Sequence, residues 1–219
     1  TVYTSEPDTM KMKNYNIQRR GVLIMKCIGI IGAMEQEVAK IKEKMQDVTI
    51  TSRARMDFYE GTLEGKKVVV VRSGIGKVNA GMCTQILADI FGVEAVINTG
   101  IAGSLNNDVN IGDIVLSTDV LHHDMDAIGF GYKKGQIPQM DEFSFPADEK
   151  LRKLAAKVCK EVNPEISVFE GRICSGDQFI SDKSVHFRIW RICSRDGRCC
   201  YRSGCLSEPY SIPCSKSNL

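Results

Sequence analysis

The stretch Cys27-Ile28-Gly29-Ile30-Ile31-Gly32-Ala33-Met34-Glu35-Gln36-Glu37 decides the fold. Its first five residues form an unbroken apolar run, the pattern of a strand buried on both faces of a parallel sheet. A glycine and a helical stretch follow, with Val38, Ile41 and Met45 at helix spacing. Working outward, the same unit recurs. Lys67–Val71 is a second β-branched run, ending at Ser73-Gly74-Ile75-Gly76. A helix from Val78 to Phe91 comes next, with Met82, Ile86, Leu87 and Ile90 as its expected apolar stripe. Ala95-Val96-Ile97-Asn98 is a third buried strand, ending at Thr99-Gly100-Ile101-Ala102-Gly103. Ile114–Ser117 and Val168–Ile173 read as further strands, and Ala147–Val162 as an amphipathic helix.

Strands alternating with helices predict an α/β domain with a mostly parallel sheet covered on both sides. Ligands of such sheets sit at the carboxyl ends of the strands. Three segments lie at such ends: residues 32–37, 73–77 and 99–104. Glycine in each lets the backbone approach a ligand closely. The Gly74-x-Gly76-Lys77 spacing is not that of a phosphate loop, and a dinucleotide fold is unsupported.

The totals exclude several classes. The chain has 219 residues, 43% of them hydrophobic and 26% charged, with a formal charge of +2. That balance, with no basic stripe interleaved with aromatics, argues against a nucleic-acid partner. No run approaches the roughly eighteen apolar residues of a membrane span, and the leader lacks a signal-peptide core. A cytoplasmic location is expected. Cys27, Cys83, Cys159 and Cys174 are scattered as free buried thiols are. Cys193, Cys199, Cys200, Cys205 and Cys214 crowd the tail, without the paired spacing or histidines of a zinc site.

Four motifs occur in order: Ile30-Ile31-Gly32-Ala33-Met34-Glu35-Gln36-Glu37, Ser73-Gly74-Ile75-Gly76-Lys77-Val78, Asn98-Thr99-Gly100-Ile101-Ala102-Gly103 and Ser175-Gly176-Asp177-Gln178-Phe179-Ile180. Together, at these spacings, they resemble the methylthioadenosine/S-adenosylhomocysteine nucleosidases of the nucleoside phosphorylase superfamily. The resemblance runs unbroken from Met25 to about Val185. It implies a three-layer α/β/α sandwich around a mostly parallel mixed sheet, with the C-terminal helix and strand lost. It also implies hydrolysis of the bond between adenine and a thio-substituted ribose, a place in methionine salvage, and no cofactor or metal. Such a reaction needs an acid for the departing purine and a base to orient water, and carboxylates near the ribose stabilise an oxocarbenium-like transition state.

By motif position the resemblance makes Glu37 the water-activating carboxylate. From spacing alone, Glu35 and Glu37 read as solvated first-turn glutamates favoured by the helix dipole; the resemblance changes that reading for Glu37 only. Met34 and Ile75 would line the ribose and thioalkyl region, and Ala102 and Gly103 would lie against the nucleoside. Phe179 would stack on adenine while the Ile180 backbone hydrogen-bonds it; an ordinary core aromatic is the alternative for Phe179. Serine is common in the family where Ile101 stands, so a polar contact to ribose or water is in question. Phe130 and Pro138 match positions that reach into a neighbouring subunit's site, which implies a homodimer. His122 and His123, with Asp124 and Asp126, read as a loop at that edge rather than a metal site. The rival readings are a purine nucleoside phosphorylase, distinguished by dependence on phosphate, and a non-catalytic nucleoside-binding protein from a decayed copy.

The ends depart from this pattern. Residues 1–24 are polar and aperiodic, and Arg19-Arg20-Gly21 can be written AGG-AGG-GGN, a ribosome-binding sequence ahead of Met25. They are expected to be a non-native upstream leader, with residues 25–185 the nucleosidase domain. Residues 186–219 are expected to be a frame-shifted tail without regular structure. Asp196-Gly197-Arg198-Cys199-Cys200-Tyr201 can be written GAT-GGA-AGG-TGC-TGC-TAT, and one base on this reads Met-Glu-Gly-Ala-Ala. Continued, the shifted reading gives a small-residue helix and an apolar strand ending Ile-Ser-Asp. The ribose-holding Met-Glu and the adenine-protonating Asp of the family occur only in that reading, so the chain as written is expected to be inactive and poorly folded.

Overall fold

In the computed structural model, which describes residues 26–178 and the backbone of 199–202, the opening run forms β1, Ile28–Gly32. Its parallel neighbours are β4, Lys66–Arg72, and β5, Ala95–Asn98. Successive side chains of a strand point to opposite faces, so β1 and β4 divide their apolar residues between two cores. Ile28, Ile30, Val68 and Val70 meet Val38 and Ile41 of α1, Glu35–Glu43, together with Met45. Ile31, Val69 and Val71 meet Cys83 and Leu87 of α2, Lys77–Asp89. The expected α/β/α layering is present around this sheet.

The buried side of α2 differs from the expected stripe. Ala80, Cys83, Thr84 and Leu87 are buried, whereas Met82 and Ile90 are 40% and 52% exposed. The reason lies across the interface. A Cβ on Gly29 of β1 would come within 3.0 Å of Leu87 Cδ1, so helix and strand lie close and mostly small side chains fit between them. The helix also stops at Asp89, short of Phe91, whose ring stacks on Phe58 at 5.1 Å between centroids.

Two strands of this sheet went unread in the sequence. β2, Gln46–Arg53, and β3, Met56–Leu63, extend the sheet antiparallel in the order β2-β3-β4-β1-β5. The β2–β3 turn is made by Ala54 and Arg55 at φ 49° and 63°, left-handed values that favour glycine or asparagine. No turn signal marks the hairpin.

Among the described residues a second five-stranded sheet, also mixed, has the order β6-β10-β9-β7-β8. Its members are β6, Gly103–Ser104; β7, Ile114–His122; β8, Phe145–Pro146; β9, Val168–Ser175; and β10, Cys199–Arg202. Helix α3, Glu149–Val162, packs on β7 and β9, and its N-cap Asp148 accepts the Leu151 amide at 2.8 Å. β7 continues well past Ser117 because its polar stretch is satisfied in place. Its register against β9 shifts between Ser117 and Val120, and Asp119 takes two 2.9 Å hydrogen bonds from Arg172 Nε. Within the tail expected to lack structure, β10 runs parallel to β9 and antiparallel to β6. A backbone ladder needs no particular side-chain pattern, so nothing in the composition foretold it. Cys27 and Cys83 are buried free thiols as expected and Cys174 is buried as well, while Cys159 is only half-buried. Among the described residues no helix is long and apolar enough to cross a membrane.

Candidate active site

The carboxyl ends of β1, β4 and β5 lie side by side. Ser73 N–H donates to Gly32 O at 2.9 Å, and Thr99 N–H donates to Ile31 O at 2.9 Å. Glu37 joins two of these ends. In the first turn of α1, its Oε2 accepts from the amides of Ala33 (2.7 Å) and Met34 (3.0 Å). Its Oε1 accepts from the Ile101 amide at 2.9 Å. The first two bonds satisfy helix-terminal donors; the third ties the helix to the loop after β5. Gly32 makes room for this, since a Cβ there would lie 2.7 Å from Val38 Cγ1 and 2.9 Å from Glu37 Cβ. Glu35, by contrast, points to solvent and pairs with Lys42 at 2.8 Å and Arg72 at 3.7 Å. The two glutamates, two residues apart, therefore have different partners.

A second knot lies at the ends of β4, β7 and β9. Lys77, the first residue of α2, donates from Nζ to both Asp124 oxygens at 2.7 and 2.8 Å. Its backbone N–H donates to Asp177 Oδ1 at 2.8 Å, and the Asp177 amide donates to Asp124 Oδ2 at 2.9 Å. Burial pushes the Asp124 carboxyl up, but the Lys77 and Asp177 hydrogen bonds and the ammonium charge outweigh it and hold it below its ordinary range. His123 is 2% exposed, and its ring lies so near Gly176 that a Cβ there would sit 2.2 Å from Nε2. This knot was not assembled from the sequence. Lys77 and Asp177 stood inside the second and fourth motifs and Asp124 beside the His122-His123 pair, but their separation along the chain left nothing local to join them.

Residues 27–194 match the phosphorylase superfamily. The chain belongs to it. Within it, the chain is a member of the 5′-methylthioadenosine/S-adenosylhomocysteine nucleosidase family of N-glycosyl hydrolases. It is 45% identical over 164 residues to the nucleosidase of that name from Staphylococcus haemolyticus, a match covering 75% of this chain and 71% of the relative. It is 48% identical over 155 residues to the Anoxybacillus flavithermus nucleosidase, covering 71% and 66%. The chain thus matches about two thirds of the length of these curated relatives. Among solved structures, the Colwellia psychrerythraea nucleosidase in complex with adenine superposes with a TM-score of 0.80 at 35% identity, covering 89% of this chain and 82% of that one.

The described residues expected at a nucleosidase site fall into four groups. Met34, Glu37 and Ile101 converge, with Met34 and Ile101 joined to the carboxylate through their amides. Ile101 offers a backbone donor where a serine would add a hydroxyl. Ala102 packs against Val115 and Ile173, and Gly103 opens β6. Ile75, 64% exposed, sits in a turn held by Asn79 Nδ2 on Ile75 O at 2.7 Å. Phe130 ends a short 3-10 turn, Ile128–Phe130, at 87% exposure, and Pro138 is half-buried in the following loop. Phe179 and Ile180 lie outside the described residues, as do residues 1–25 and most of the tail.

Proposed function

We propose that this chain carries the bond-cleaving site of a nucleosidase that hydrolyses 5′-methylthioadenosine and S-adenosylhomocysteine to adenine and the thioribose product. The observation that carries this reading is Glu37, a carboxylate fixed by three backbone amides where the ends of β1 and β5 meet. A rigid carboxylate at that junction suits a base that orients water and takes its proton. The water oxygen bonds to the anomeric carbon, the carbon–nitrogen bond breaks, and its electron pair leaves with adenine, which an acid protonates. Met34 and Ile75 would line the ribose and thioalkyl side, Ala102 and Gly103 the nucleoside face, and Phe179 and Ile180 the base.

The exposure of Phe130 supports the homodimer, in which Phe130 and Pro138 complete the partner's site. Buried free thiols suit the reducing cytoplasm. We also propose that residues 1–24 are leader, and that residues from about 186 onward are read one base out of frame, the shifted reading supplying the ribose-holding Met-Glu and the acidic Asp.

The test compares the chain as printed with one whose frame is restored to read Met-Glu-Gly and Ile-Ser-Asp. The restored chain releases adenine from either substrate without added phosphate. The printed chain is slower by at least about a hundredfold, the lower worth of one general acid. Turnover that requires phosphate, or none from the restored chain, refutes the reading.

A further inference from the structure

The knot at Lys77, Asp124 and Asp177 has a property that an ordinary ion pair lacks. Each aspartate accepts a backbone amide from another segment: Asp177 takes that of Lys77, and Asp124 takes that of Asp177. The Lys77 ammonium grips both Asp124 oxygens and comes within 4.0 Å of Asp177 Oδ2. The lysine and Asp124 side chains are only 24% and 10% exposed, so solvent screens their attraction less than at an open surface. Main chain is therefore fixed to main chain across three strand ends. A contrast stands nearby. Arg172 and Asp119 pair side chain to side chain across β9 and β7, which already share a ladder.

Position along the chain gives the knot its consequence. Lys77 lies two residues beyond Ile75, the residue the nucleosidase reading puts on the thioalkyl side. Asp177 lies two residues before Phe179, which the same reading puts against the base. Gly176, pressed onto the buried His123 ring, holds the same exit from β9 on its other side. We infer that Lys77 and Asp124 are positioning residues, which set the distance between the thioalkyl side and the exit of β9 at Asp177, from which the chain runs on to the proposed base-binding residues, without touching substrate. The inference rests on the nucleosidase reading. An anchored segment is pre-organised for its ligand, and a displacement of about 1 Å at such a site can weaken it by up to a hundredfold.

The test is adenine binding by the frame-restored full chain, measured by titration calorimetry alongside circular dichroism. Lys77→Met weakens adenine roughly tenfold or more while the far-ultraviolet spectrum stays native. Lys77→Arg, which keeps the cation, recovers part of the loss. Asp119→Asn breaks the contrasting pair and leaves adenine affinity unchanged. Should Lys77→Met fail to fold, Asp124→Asn makes the same comparison with nearly unchanged volume. Equal affinity in wild type and a folded Lys77 or Asp124 variant overturns the inference alone, as does equal weakening by Asp119→Asn. A frame-restored chain that carries no substitution and binds no adenine overturns the nucleosidase reading and the inference with it.

Discussion

Glu37 is a helix cap and, in the proposed function, the water-activating carboxylate, and the two roles would use the same atoms. Its two oxygens accept three amides, those of Ala33, Met34 and Ile101. Glutamine has only one acceptor oxygen, and its NH2 group would face at least one N–H donor. Glu37→Gln is therefore expected to cost about 1–3 kcal/mol, because partly buried donors lose their acceptor. Urea unfolding of the printed chain reads that cost. In the frame-restored chain the same change lowers adenine release by roughly a hundred- to ten-thousandfold, the worth of a general base. A variant as stable as wild type would mean that the three amide bonds contribute little. A variant as active would mean that another group handles the water.

Elements show how far local pattern reaches. β1, β4 and β5 were legible because burial on both faces leaves unbroken runs of valine and isoleucine. β2 was not, because nearly all of it is exposed at a sheet edge and it has no apolar face to read. Its turn to β3 was hidden too, since Ala54 and Arg55 hold left-handed conformations that alanine and arginine rarely announce. The hairpin is fixed by its pairing with β4, which tertiary context supplies and local sequence does not. This makes the turn a place to gain stability. A left-handed conformation costs a non-glycine residue about 1–2 kcal/mol, partly offset by glycine's larger loss of chain entropy. Arg55→Gly is expected to stabilise the chain by about 0.5–1 kcal/mol, seen as a raised thermal midpoint. A lowered midpoint would show that the Arg55 side chain contributes more than the strain removes.

At the scale of the molecule, the site is a junction. Motifs that look unrelated in sequence become one site because parallel strands bring their carboxyl ends to one edge. The first and third motifs therefore meet at Glu37 and Ile101. The Lys77 knot escaped, because ion pairs between distant segments leave no local period. That junction also places a histidine under strain from pH. Burial first, and the Lys77 charge second, lower the His122 pKa below its ordinary 6.5, outweighing Asp124 and Asp177. Its Nδ1 is buried without a hydrogen-bond partner among the described residues, so a proton there would be a buried donor lacking an acceptor. The unfolded chain takes up that proton near pH 6.5 and the folded chain resists it. His122 thus contributes no loss above pH 6.5, and stability falls as pH drops below it toward the folded value. The slope from this one group is at most about 1.4 kcal/mol per pH unit. Urea unfolding of wild type and His122→Asn at pH 7.5 and 5.5 isolates the effect, because the variant removes one titrating group. The stability gap between the two pH values should be smaller in the variant. An unchanged gap would assign the acid sensitivity to other groups and leave His122 free to accept its proton in the folded chain.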